Sequence, residues 1–248
     1  MQPDPSRLLE RIGVTFPLIG FYDAPDASPF APVVEVEPGQ QRCLFAFFTR
    51  WLAGDTLRMT RESYGCRGAG SCLLGVATRS QEDLITFLVD EEGLKSSRDL
   101  MHRWIDRRGS YVPEHANLLI GPLRPDQYGH LKTVTFYVNP DQLAALILGA
   151  NYHSGPDDPT PVAAPFGSGC SQLLPLFADL AVPQAIVGAT DIAMRQWLPP
   201  DTLAFTVTRP MFERLCELDE RSFLFKPFLQ RLQSAREQGV GRKATPTP

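Results

Sequence analysis

The chain has 248 residues, a formal net charge of −4 at neutral pH, 43% hydrophobic and 21% charged residues. That length can bury a sizeable core, as one large domain or two closely packed halves. The acidic balance, with no basic block, argues against a nucleic-acid surface.

No apolar run approaches the roughly 20 residues that cross a bilayer. The polar start MQPDPSRLLERIG has neither an apolar h-region nor a small-residue cleavage site. The reading is therefore no membrane segment and a cytoplasmic setting. The five cysteines, an odd number in a chain too large to need staples, agree with reduced thiols. The 23 prolines favour short elements with irregular connections.

In chain order, Ser6 can cap a helix over Arg7–Ile12 that Gly13 stops. Pro17–Asp23 and Val33–Val36 read as strands, and Gln41 to Ala53 as a largely buried helix closed by Gly54. Leu57–Gly65 alternates as a strand and leads into the loop YGCRGAGSCLLG, after which Cys72–Thr78 reads as a helix. Ser80, with Asp83 three residues on, resembles a capping box for Gln81–Val89. Ser96–Gly109 is amphipathic, and Asn117–Ile120 and Val134–Val138 are strand candidates. Asp141 opens a helix, and a second glycine-rich loop precedes Cys170 and a further helix. Ala185–Val187 and Leu203–Arg209 read as strands around a helix Ile192–Trp197 capped by Thr190 or Asp191. Met211–Leu218 and Phe223–Arg236 read as helices. Strands and helices mix without a βαβ rhythm, which predicts an α+β fold: a mixed sheet with several short packed helices. One domain is expected over residues 1–236, with a loose tail over 237–248.

An internal echo, GAGSCLLG against GSGCSQLL, raises two similar halves. Both segments place a cysteine between small residues and an apolar helix. A thiol entering a helix N-terminus is drawn toward thiolate, the form that binds metals or attacks electrophiles. The C-x5-C spacing of Cys66 and Cys72 is neither a zinc ribbon nor a ferredoxin run. Their small-residue filling nonetheless leaves a loop free to wrap a ligand. If Cys170 meets that loop, three thiolates could converge, a set suited to an iron–sulfur cluster or to zinc. Cys43, on the apolar helix, is a fourth ligand or a core residue. Gly65, Arg67, Gly68, Gly169 and Arg195 could alternatively cradle an anion. Cys216 reads as an ordinary helix residue. His102, His115, His130 and His153 form no metal motif along the chain.

Several segments in order resemble the uncharacterised prokaryotic domain-of-unknown-function family 169. They are Cys43 opening RCLFAFFTRWLAG; Cys66, Gly68, Ala69, Leu74 and Gly75; VNPDQLAALILGAN; Cys170–Ser171; and Gly188, Asp191 and Arg195 before FTVTRP. The resemblance implies a bacterial or archaeal protein and favours Cys43, Cys66 and Cys170 as the cysteine trio. It imports no reaction. The expected function is a thiolate-held metal, an iron–sulfur cluster first and zinc as the alternative, bound through Cys43, Cys66, Cys72 and Cys170. It would serve electron transfer to a redox partner or activation of a small molecule. The rivals are a metal-free cysteine nucleophile and a non-catalytic module for an anionic small molecule. Oligomeric state is not readable from the sequence.

Overall fold

Helix α1 (Ser6–Ile12) lays Leu8 and Ile12 onto the core and stops where the sequence predicts, at Gly13. That glycine sits at φ 68°, a left-handed turn that costs a side chain but not a glycine. The structure, a computed structural model, describes residues 3–37, 43–60, 80–108, 111–158, 161–164, 166, 170 and 180–239. Of the expected tail, 240–248 lie outside the described residues.

Eight strands follow among the described residues: β1 (Ile19–Ala24), β2 (Val33–Glu35), β3 (Thr56–Met59), β4 (Asn117–Pro122), β5 (Leu131–Val138), β6 (Val162–Ala163), β7 (Ala185–Gly188) and β8 (Leu203–Thr208). They form one sheet in the order β2-β3-β4-β1-β5-β8-β7-β6. The edge pairs β2–β3 and β6–β7 are parallel. The pairs between them are antiparallel. This is the expected α+β fold with a mixed sheet.

The order has an internal symmetry. Read from one edge it runs β2-β3-β4-β1, and from the other β6-β7-β8-β5. Each half places its first strand at the centre and closes its outer edge with a parallel crossover, and β1 meets β5 antiparallel between them. The two halves raised by the sequence therefore exist as a repeat of topology.

Strand alternation sends side chains to both faces, and both faces are covered. Toward one go Tyr22, Val134, Phe136 and Phe205, packed by α1, α5 (Pro140–Asn151), α6 (Arg209–Cys216) and α7 (Pro227–Glu237). Toward the other go Ile19, Phe21, Leu57, Ile120 and Tyr137. That second face is covered by a 3-10 turn, Leu44–Phe47, running into α2 (Phe48–Leu52). The expected continuous helix over this stretch is thus tighter at its start. A three-residue repeat carries Phe45, Phe48 and Trp51 all into burial. At Gly121 the strands β3 and β4 approach so closely that a Cβ would stand 2.8 Å from the Thr56 Cα, which requires glycine there.

A third, smaller cluster joins α3 (Gln81–Ile85) to α4 (Arg98–Arg108) through Leu84, Ile85, Leu88, Met101 and Ile105. Ser80 caps α3 by accepting from the Asp83 N–H at 3.1 Å, as its spacing predicts. Beyond Ile85 the backbone widens into a π-helical stretch, Thr86–Glu91. Helix α5 starts one residue before the sequence expectation. Asn139 and Gln142 exchange side-chain-to-backbone bonds, both 2.9 Å, in a capping box with Pro140 at the first helical position. No described helix is long and apolar enough to cross a membrane.

Candidate functional site

Cys66, Cys72, Gly65, Arg67, Gly68 and Gly169 lie outside the described residues. In the chain the first five fall between β3 and β4, and Gly169 falls between β6 and β7.

Cys43 and Cys170 are described. Cys43 has extended backbone (φ −63°, ψ 135°) and caps the 3-10 turn that opens the β2-to-β3 crossover. Cys170 is a buried, helical residue of the β6-to-β7 crossover. These two connections are equivalent in the repeated topology, and both cysteines border the same apolar cluster on the second face of the sheet. The internal echo in the sequence paired Cys170 with Cys72, which belongs to a different connection. The topology pairs it with Cys43. A spacing that carried this signal was present all along: Pro38-x4-Cys43 after β2 and Pro165-x4-Cys170 after β6.

Two buried polar atoms in that cluster have no hydrogen-bond partner among the described residues: the Trp51 indole N–H and the Tyr137 hydroxyl. Tyr137 is 1% exposed. Burial alone pushes its phenol well above the ordinary tyrosine range, so it remains a proton donor. An unpaired buried hydroxyl costs about 1–3 kcal/mol. Tyr137→Phe is therefore expected to stabilise the ligand-free protein by about 1 kcal/mol in urea unfolding. A loss of stability instead would show that the hydroxyl already has a partner.

Cys216 behaves as the sequence suggested. Burial, with Asp4, Glu217 and Glu213 near it, pushes its thiol up to about 12, so it stays protonated and unreactive at neutral pH.

Arg195, read from the sequence as counter-charge for an anion, has its donors on backbone. One nitrogen bonds the carbonyl of Thr202 and reaches that of Ala189 at 3.5 Å. The other bonds Pro199 at 3.2 Å and Pro200 at 2.6 Å. To hold an anion it would have to release the loop that joins β7 to β8. Ala189, at the start of that loop, is 1% exposed with φ 61°, a left-handed conformation uncommon for a residue with a Cβ.

A second constellation was not visible from the sequence. Asp23, fully buried near the end of β1, receives four donors. Its Oδ2 accepts from the Tyr111 hydroxyl and the Glu114 N–H, both at 2.7 Å. Its Oδ1 accepts from the His115 N–H at 2.9 Å and lies 3.2 Å from His115 Nδ1. Burial first, then the bond to Asp23, holds the Tyr111 phenol far above its ordinary range, so it acts as a donor. Lys132 Nζ sits 2.8 Å from a Glu114 carboxylate oxygen, and the ring of His130 meets that of His115 edge-on at 5.8 Å.

The sheet order explains this meeting. β1 lies between β4 and β5 and is antiparallel to both. The residues leading into β4 (Glu114, His115) and into β5 (His130) therefore arrive together over the end of β1. The other histidines are elsewhere: His102 pairs with Glu82 at 3.1 Å, and the ring of His153 stacks edge-on with that of Tyr152. A polar cleft of about 380 Å³ between α1, the start of α5 and α7 contains none of the candidate residues.

No curated protein and no solved structure matches the chain. The DUF169 family model, described as Uncharacterised ArCR, matches residues 10–218, a span that takes in all eight strands, Cys43, Cys170 and the Asp23 constellation. The chain belongs to the DUF169 family.

Proposed function

We propose that the chain is a cytoplasmic prokaryotic protein that holds a metal through cysteine thiolates on the second face of its sheet. An iron–sulfur cluster is the leading form and zinc the alternative. The observation that carries this reading is the equivalent placement of Cys43 and Cys170, one in each parallel crossover, against a single apolar cluster. Cys66, which follows β3 in the chain, would supply the third thiolate, with Cys72 as the other source.

The chemistry of the surroundings fits such a group. Thiolate-held clusters favour apolar walls with a few hydrogen-bond donors, which tune their potential. The donors of Trp51 and Tyr137, which have no partner among the described residues, lie in the same cluster as the two cysteines. An iron–sulfur cluster would supply a one-electron couple for a redox partner or, with an open iron, a Lewis acid for a small molecule. Cys43, Cys66 and Cys170 would hold it, while Phe45, Phe48 and Ile120 exclude water from this face.

Anaerobic purification with iron and sulfide analysis, followed by visible spectroscopy, tests the proposal. Bound iron and acid-labile sulfide are expected. Each of Cys43→Ser, Cys66→Ser and Cys170→Ser should lower the metal content at least several-fold. Protein that stays colourless and metal-free after anaerobic reconstitution would overturn it.

A further inference from the structure

We infer that the hydroxyl of Tyr137 is the hydrogen-bond donor to a sulfur of the thiolate centre proposed above, and that it sets the reduction potential of that centre. The inference rests on that reading and gives Tyr137 a positioning role rather than a ligand's. The repeat of topology locates the hydroxyl. The ladder from β2 to β3 opens with Val33 beside Thr56, and that from β6 to β7 with Val162 beside Ala185. Followed inward from those pairs, the row Met59–Leu118–Asp23 of the first half corresponds to Gly188–Ala204–Tyr137 of the second. Both rows end on a buried polar side chain. Asp23 gathers the donors already described, whereas the Tyr137 oxygen has no partner among the described residues.

Directly paired residues of neighbouring strands project from the same face of a sheet. Tyr137 therefore has Ala204 and then Gly188 at its flank, residues that fill little of the space above the sheet. The 3-10 turn that Cys43 caps runs into α2, from which the ring of Phe48 meets that of Tyr137 edge-on, with 4.8 Å between centroids. Cys170 belongs to the same cluster as Tyr137 and Ala204. The surroundings of Tyr137 thus take in residues from both connections that carry the cysteines. Burial keeps the phenol protonated, so it serves as a donor. A buried hydroxyl without a partner costs stability, and a sulfur acceptor offsets that cost. A donor to a coordinated sulfur favours the electron-rich reduced state and so raises the potential. Tyr137 rather than Trp51 carries the test, because Tyr137→Phe removes one oxygen and keeps the ring.

Wild-type and Tyr137→Phe proteins, each reconstituted anaerobically with iron and sulfide, are compared by metal analysis, redox titration and resonance Raman spectroscopy. Equal iron and sulfide contents are expected. The variant should have the lower midpoint potential, by about 59 mV for a tenfold change in a one-electron equilibrium. Its iron–sulfur stretching bands should lose the shift that exchange into D2O produces in the wild type. A potential that is unchanged or raised at full metal content, or a D2O shift that persists, overturns the inference and leaves the thiolate centre standing. Loss of iron in the variant also overturns it, since the hydroxyl would then be needed to build the centre rather than to tune it. A wild type that takes up neither iron nor sulfide overturns both this inference and the centre it rests on.

Discussion

Asp23→Ala is expected to lower the free energy of unfolding by about 3–5 kcal/mol, among the largest effects of any single substitution in this protein. Asp23 is completely buried, and its two oxygens gather the Tyr111 hydroxyl, the backbone N–H groups of Glu114 and His115, and the ring of His115. Deleting the carboxylate strands these donors in a site that admits little water, and the desolvation already spent on them is no longer compensated. Asp23→Asn should cost less, about 2 kcal/mol, since one amide oxygen still accepts while the amide nitrogen confronts donors. Urea unfolding at neutral pH measures both. A loss below about 1 kcal/mol for the alanine variant would mean that the loop before β4 finds other partners. The effect should be local in origin, with hydrogen exchange rising first at Glu114 and His115.

The second large effect concerns Arg195. Its two terminal nitrogens reach four carbonyls, those of Ala189, Pro199, Pro200 and Thr202, and so tie together the loop from β7 to β8. Arg195→Ala is expected to cost about 2–3 kcal/mol, the range for hydrogen bonds to a charged group when the partners are only part-buried. Arg195→Lys should recover little of this, because an ammonium on a single stem cannot span the arc of acceptors that a planar guanidinium spans. A lysine variant as stable as the wild type would show that charge, rather than fork geometry, is what the loop needs. The proposed thiolate centre should bind metal equally well in both variants. Weaker metal binding in either variant would show that the β7-to-β8 loop supports that centre.

Much of the local structure was legible because its causes are local. The Gly13 stop, the Ser80–Asp83 cap and the β8 strand each depend on residues within a few positions of one another. A cap is a hydrogen bond between neighbours in the chain, and a strand alternation is a pattern of burial along one segment. The start of α5 lies one residue earlier than read because Pro140 takes the first helical position, behind the capping box of Asn139 and Gln142. That Cys43 and Cys170 lie against apolar surroundings was legible, since the residues around them can be read directly. Their equivalence was not, because the resemblance in small residues pointed to Cys72.

By itself, then, the sequence determined the α+β class, the family and most element boundaries, and it named the cysteines. The order of the strands, and everything that follows from it, was decided by the tertiary structure. Asp23, His115 and His130 meet only because β1 is flanked on both sides by strands that run against it. That arrangement satisfies a requirement no short window expresses: a sheet with two apolar faces must bury both, and Tyr22 and Phe21, adjacent in sequence, end in different cores. His115 looked like a turn residue because its partner, the buried carboxylate of Asp23, lies far away in the chain, and His130 because it meets His115 only through the strand order.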